Sequence, residues 1–496
     1  MFAKKVFLGI ATLLMTSPLL FSCGPNDPNV TYLRILNSED YIGRGTYIYQ
    51  EGDEKKEEDI DVINDFEEWE KSCGRNVKVI YETFDTMENM YNTLKTGKTK
   101  YDLVCASDYM VQKLVNLDLL ERMDNKVTDI PNYEKNASSF IRDRLKNIKW
   151  GDKDKYNLDD YSVCYMWGTL GLLYNPTYEL LDARGLKPDD VHNAMTSYDS
   201  LWDERFQKVV SVKDSMRDTY AIGLIHTFKD ELKDKSIIER QKIFDYGGVN
   251  DSNAKEHIDL IKQDLLTLRD NIFGFEVDSG KEDIVTEKIG IDTAWSGDAV
   301  KAINNAEEEK NLKLYYSIPT EGSNLWFDCW TMQRGANKEL SYEFLDFISE
   351  PNNAIKNMKI IGYTSSIQGK EIFDYYNKKY APISNSSNEK YDVSYFFDDE
   401  SQKELTIDKK YLGRQIAAQF PKKEVADSLM VMKDYGDNND LILKMWEEVK
   451  HESLPIWAIV LFVIEIVLIA SAIFVFAFLK FRNKKQRQQR RLKSAA

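Results

Sequence analysis

The order of apolar runs predicts an α/β chain of two or more lobes built on parallel sheet. Three observations carry this. Strand-like runs at Tyr32–Leu36, Val77–Tyr81 and Tyr101–Cys105 alternate with helical patterns at Ile60–Ser72 and Glu88–Lys95. That order implies parallel strands joined by right-handed crossovers. The 496 residues exceed what one core usually fills, and a hydrophobic content of 43% with 12% aromatics suffices for packed cores.

Each element has a local reason. Ile63, Phe66 and Trp69 give Ile60–Ser72 its helical period, and Gly74 stands where a cap belongs. The charged stretch Gln50–Asp61 reads as a solvated loop or the exposed start of a helix. Tyr161–Tyr174 is a long strand-like run, and 177–290 is largely helical around a strand at Val209–Val212. Ser341–Ser349 and Ala354–Ile361 are amphipathic helices, stopped by Glu350-Pro351 and Gly362-Tyr363. Pro382–Glu404, rich in Asn and Ser, reads as an exposed insertion, and Leu441–Val449 as a last helix. Ligands of such sheets bind at the carboxyl ends of the strands, here Asn37–Tyr41 and Ser107–Tyr109.

The charge of −16 is unevenly spread. Lys4 and Lys5 open the chain and eight basic residues close it from Lys480 onward, so the body between them is more acidic still. Such a body repels nucleic acid; its acidity either attracts cations or only confers solubility, and composition alone favours the latter. Lys4-Lys5, the apolar run Val6–Leu14 and Leu20-Phe-Ser-Cys23 form an export signal over residues 1–22. The last four residues resemble a bacterial lipobox, which implies acylation of Cys23; an ordinary secretory signal is the alternative. Leu454–Leu479 holds one charge, Glu465, and is long enough to span a bilayer, at ~20 residues. The basic tail 480–496 then lies in the cytoplasm and the acidic body outside. Glu465 reads either as a contact to a partner helix or as a tolerated carboxyl. Cys105, Cys164 and Cys329 sit in apolar runs as buried thiols, and neither cysteines nor histidines have metal-ligand spacing.

The chemistry-bearing stretches pair an aromatic with an acid at a turn. Ile289–Asp298 ends in Trp295-Ser-Gly-Asp298; Leu325-Trp-Phe-Asp328 repeats the recipe; Val212–Asp218 places Asp214 and Asp218 after a strand. An aromatic face beside a fixed carboxylate suits an organic cation, attracted by ring quadrupole and anion alike.

Six segments in collinear order, Val79–Tyr91, Tyr101–Val104, Tyr161–Asn175, Trp295–Asp298, Pro319–Asp328 and Ile361–Ser365, resemble the spermidine/putrescine-binding proteins of bacterial ABC transporters. The similarity covers roughly residues 31–449. It implies a two-lobed periplasmic-binding-protein fold of the second type, to which this chain adds the C-terminal transmembrane helix. Lobe 1 would comprise 23–163 with 330–360, and lobe 2 164–329 with 361–449, joined by crossover strands near 161–167, 326–332 and 361–365. A polyamine would lie between the lobes, and closure would present them to a permease. Carried over by position, Ser107 and Tyr109 offer a hydroxyl and an aromatic wall, and Asp218 takes an ammonium. Trp295 and Asp298 stack on the methylenes and bind a second nitrogen; Trp326 and Asp328 close the site.

Two departures bear on the ligand. Ser38 stands where the family usually has tryptophan, followed by Glu39, Asp40 and Tyr41 as further ligand contacts, and Ser215 stands where some members have aspartate. Spermidine and putrescine therefore both stay open. Another small solute on the same fold (a sugar, an oligopeptide or a ferric complex), an extracellular hydrolase such as a glycosidase built on a carboxylate pair, and a one-pass sensory receptor are the other readings. No nucleophile elbow or His-Glu-x-x-His occurs, so no catalytic residue, metal or cofactor is assigned.

Overall fold

Two long antiparallel strands hold the molecule together, and every site residue is placed relative to them. In the computed structural model the described residues are 29–450 apart from 52–53, 125, 152–153 and 383–386. The signal 1–22, Cys23, the span 454–479 with Glu465 and the tail 480–496 lie outside them. Among the described residues no helix is long and apolar enough to cross a membrane.

The strands of the main sheet, numbered along the chain, are β1 (Thr31–Ser38), β2 (Val77–Phe84), β3 (Leu103–Ser107), β4 (Ser162–Tyr174), β5 (Val210–Lys213), β6 (Gly274–Glu276), β7 (Ile291–Trp295), β8 (Tyr315–Ser317), β9 (Leu325–Met332) and β10 (Thr364–Ser365). Their order is β6-β5-β7-β4-β9-β3-β1-β2, with β8 and β10 also paired to β4. The pairs β1–β2, β1–β3, β5–β6 and β5–β7 are parallel, as the alternating sequence predicts. The pairs made by β4 and β9 are antiparallel. Each lobe is thus a parallel trio; β4 runs through both cores, and β9, paired to β4 and β3, packs in the first. The expected crossovers lie in β4, β9 and β10, the last paired to Trp167 and Met166.

The cores divide along β4. Cys164–Trp167 belongs to the first core, whereas Leu170, Leu172 and Tyr174 belong to the second. Trp167 and Trp330 are fully buried in the first. Trp202 is half-buried and stacks on His226 at 3.7 Å. The sequence reading put 361–449 with lobe 2. Apolar residues from Ile367 to Leu429 instead pack largely in the first core, and the second receives Met430 to Val449. Likewise Leu325–Cys329, read as lobe 2, contributes to the first core.

Two loop expectations are corrected. Gln50–Asp61 belongs to an antiparallel hairpin of Arg44–Glu51 with Glu54–Asp61. Cross-strand polar pairs hold it, Arg44–Asp61 at 3.1 Å and Thr46–Asp59 at 2.7 Å, so no apolar alternation announces it. The excursion Pro382–Glu404 is not simply exposed. It contributes the strand Asn388–Asp392 and buries Tyr391, Val393, Phe396 and Phe397 in the first core.

Close packing at the crossover demands glycine. A Cβ on Gly171 would lie 2.5 Å from Tyr316 Cζ and 2.7 Å from the Ser317 carbonyl oxygen. The Tyr316 ring cannot step aside, because its hydroxyl donates to the Thr169 carbonyl at 3.0 Å. Gly171→Ala is therefore expected to cost about 1–3 kcal/mol of stability, measured by urea unfolding.

Candidate functional site

The carboxyl ends of the parallel strands face one another across β4 and β9, and two of the carboxylates expected from sequence, Asp218 and Asp328, are held there. Asp328 lies in β9 where its register against β4 shifts: it pairs with Met166, and Cys329 with Cys164. Such a bulge re-aims a side chain. Its Oδ1 accepts from Ser107 Oγ at 2.7 Å and its Oδ2 from the Tyr41 hydroxyl at 2.8 Å. Burial pushes the Asp328 carboxyl above its ordinary value, against the pull of these two bonds, and the charge of Asp218 adds to the rise. Tyr41 is held edge-on by Tyr165 at 5.8 Å and Tyr363 at 5.6 Å.

Asp218 comes from the other lobe, in the first turn of helix α1 (Met216–Thr227). Ser215 caps that helix: its Oγ accepts from the Asp218 amide at 3.3 Å and donates to Asp218 Oδ2 at 2.7 Å. Trp295 Nε1 donates to the same oxygen at 3.2 Å. Burial raises the Asp218 carboxyl; the bonds from Ser215 and Trp295 and the charges of Lys213 and Arg217 oppose it. Among the described residues neither Asp218 nor Asp328 forms an ion pair with lysine or arginine. Asp214, the other acid of that segment, is paired with Lys450 at 3.0 Å.

Trp295 precedes helix α2 (Ser296–Lys310), whose first turn carries Asp298. Gly297 in that turn lies against the Tyr363 ring: a Cβ there would meet Tyr363 Cγ and Cδ2 at 2.2 Å. Tyr363, whose hydroxyl pKa is raised by burial and by the charge of Asp298, packs in the first core, so this contact joins the lobes. Trp326 lies edge-on to Tyr363 at 5.3 Å and covers Gly168, whose absent Cβ would lie 2.4 Å from its ring.

Other expected site residues are placed differently. Tyr109 has the Arg217 guanidinium 4.2 Å from its ring centroid, so that part of its aromatic surface is already covered by the protein's own cation. Arg217 also lies 4.0 Å from Tyr435 and donates to the Lys433 carbonyl. Glu39 and Asp40 form the exposed turn beyond β1, with Asp40 at φ 50°, outside the close cluster. Asp298 lies 3.9 Å from Lys213 Nζ, and its charge also acts on Lys281 and Lys301.

Sequence reasoning missed Tyr165, Tyr363, Asp108 and Lys213. Asp108 accepts from the Phe327 amide at 3.2 Å and the Tyr109 amide at 2.6 Å, tying β9 to the helix Asp108–Asn116. Burial pushes its carboxyl up to about 8 despite those bonds. A signal existed for Lys213: Asp292 stands inside the apolar run before Trp295, and a buried carboxyl requires a partner.

Two parallel trios joined by crossover strands, with carboxylates and aromatics facing across the junction, define a two-lobed solute-binding protein. A family model described as bacterial extracellular solute-binding protein matches residues 62–370, and the chain belongs to that family. It is 27% identical over 287 residues to the putrescine-binding periplasmic protein PotF of Escherichia coli, covering 57% of this chain and 69% of that protein. It is 25% identical over 300 residues to the spermidine/putrescine-binding periplasmic protein of Salmonella typhimurium, covering 60% and 72%. Its fold matches the crystal structure of the spermidine/putrescine transporter substrate-binding protein PotD of Streptococcus pneumoniae, solved with calcium and HEPES. The TM-score is 0.53 at 22% identity, over 85% of this chain and all of that one.

The Gly297–Tyr363 contact gives a direct test of closure. Gly297→Ala inserts a methyl where the ring lies and wedges the lobes apart. Small-angle scattering should show a larger radius of gyration, and ligand affinity should fall by about tenfold or more, the equivalent of roughly 1.4 kcal/mol.

Proposed function

We propose that this protein captures a polyamine, spermidine or putrescine, in the cleft between its lobes and delivers it to an ABC-type permease without changing it chemically. The single observation that carries the reading is the facing pair Asp218 and Asp328. Asp218 is buried and Asp328 partly buried, both accept bonds only from neutral donors, and the charge of Asp218 bears on Asp328. Buried acids without a cation are costly, and an ammonium between them removes the cost through charge-assisted hydrogen bonds. Trp295, Tyr41, Tyr363 and Trp326 provide aromatic surface for the methylene chain, and Ser107 fixes Asp328. The Glu39–Asp40 turn beside Tyr41 supplies further acid for the ligand's other end. The PotF and spermidine/putrescine-binding relatives support the same ligand class.

The lobes in this reading are held at the extracytoplasmic face of the cell membrane. Cys23 carries the acyl anchor, 454–479 spans the bilayer and 480–496 lies in the cytoplasm; the support for these is the sequence pattern alone.

Calorimetry on the full-length protein with putrescine and spermidine tests the reading. One-to-one binding of a polyamine with no heat from a sugar is expected, and heat from the sugar alone contradicts it. Asp328→Asn should weaken binding by about 30-fold or more, the loss of roughly 2 kcal/mol that follows removal of one partner of a buried charge pair.

The pH dependence has a defined sign. Ammonium binding requires ionised Asp218 and Asp328, and burial raises both above the ordinary carboxylate value of 3.8. Protonation therefore competes with the ligand at higher pH than an exposed aspartate would allow. Affinity should fall as pH is lowered from about 8 toward that value, and titration calorimetry across this range measures it.

A further inference from the structure

The Trp295–Asp298 end of the cleft, expected to hold a ligand nitrogen, already contains an ammonium of the protein itself. Lys213 closes β5, and its side chain is 2% exposed. Its Nζ lies 2.7 Å from Glu276 Oε1, 3.9 Å from Asp298 Oδ2 and 4.7 Å from the centroid of the Trp295 ring. It also donates to the Val277 carbonyl at 3.4 Å. Asp292 completes the surroundings, buried with neither carboxyl oxygen hydrogen-bonded. Burial works against the Lys213 ammonium, yet Asp292, Asp298 and Glu276 together hold its pKa above the ordinary lysine value.

A cation near a tryptophan ring and a carboxylate is the arrangement an organic ammonium seeks. Here the chain supplies it. Asp218 and Asp328, by contrast, have only neutral hydroxyl and indole partners. A ligand nitrogen brought to Asp298 would meet a like charge a few ångströms away in a site from which water is largely excluded, where repulsion is strong.

We propose that Lys213 is a specificity-determining residue: its tethered ammonium fills the Trp295–Asp298 end in place of a ligand nitrogen, so that the cleft takes a diamine in preference to a triamine. The diamine-over-triamine part rests on the polyamine reading above. The occupancy of the ammonium position rests on the Lys213 contacts alone.

The test uses the full-length protein as wild type, Lys213→Ala, Lys213→Arg and the double variant K213A/E276Q. The double variant removes the carboxylate that alanine strands and carries the same comparison where K213A does not fold. Calorimetry with putrescine and spermidine is run beside thermal melting with n-propylammonium, which replaces the atoms that alanine lacks. Wild type should bind putrescine about tenfold or more tighter than spermidine. K213A should move that ratio toward spermidine by about tenfold or more (roughly 1.4 kcal/mol), and K213R should keep the wild-type preference. Propylammonium should raise the melting temperature of K213A and leave wild type unchanged. A K213A or K213A/E276Q ratio within about twofold of wild type, with no stabilisation by propylammonium, overturns the proposal. Wild type that binds neither polyamine, with K213A still rescued by propylammonium, overturns the polyamine reading and supports Lys213 as the occupant of the ammonium position.

Discussion

The constraint on which the cleft depends is the cost of desolvating two carboxylates, Asp218 and Asp328, that form no ion pair among the described residues. Other acids near the cleft have a cation, Asp214 in Lys450, Asp245 in Lys433 and Glu276 in Lys213. Asp218 and Asp328 accept only from neutral groups, and burial raises both. A fold that leaves such groups in place gives up stability in the empty state and recovers it when a cation arrives. The hydrogen bonds from Ser107, Tyr41, Ser215 and Trp295 orient the oxygens without neutralising them, so the charge stays available.

Everything that aims those oxygens descends from the antiparallel pair β4 and β9. Asp328 is set by the register shift in β9, and Ser107 lies opposite it as the last residue of β3. Trp295 is the last residue of β7 and pairs with Leu170 of β4. Small residues allow the elements to meet: Gly168 under Trp326, Gly171 under Tyr316 and Gly297 under Tyr363. β4 passes from one core to the other between Trp167 and Leu170, so the two acids belong to lobes joined at that point.

Much of this was legible in the sequence because its signals are local. Strand runs ending in turns placed Asn37–Tyr41, Ser107–Tyr109 and Trp295–Asp298 at the carboxyl ends of strands, and the structure forms two bonded groups there, Tyr41 and Ser107 on Asp328 and Trp295 on Asp218. What escaped depends on contacts between distant residues. Lys213 meets Glu276 and Asp298 only after β5, β6 and β7 align, and Arg217 covers Tyr109 only when the lobes meet. The hairpin over 44–61 is stabilised by polar cross-strand pairs and lacks the alternation that marks a strand. Val393, Phe396 and Phe397 were hidden within a polar stretch whose composition reads as a loop.

The most direct measurement is a crystal structure of the protein grown with putrescine. The account predicts one ligand nitrogen between the carboxylates of Asp218 and Asp328, the chain along Trp295 and Tyr41, and Lys213 still paired with Glu276. A diamine bound elsewhere, or a nitrogen on Asp298 with Lys213 displaced and Asp218 and Asp328 left empty, would contradict it.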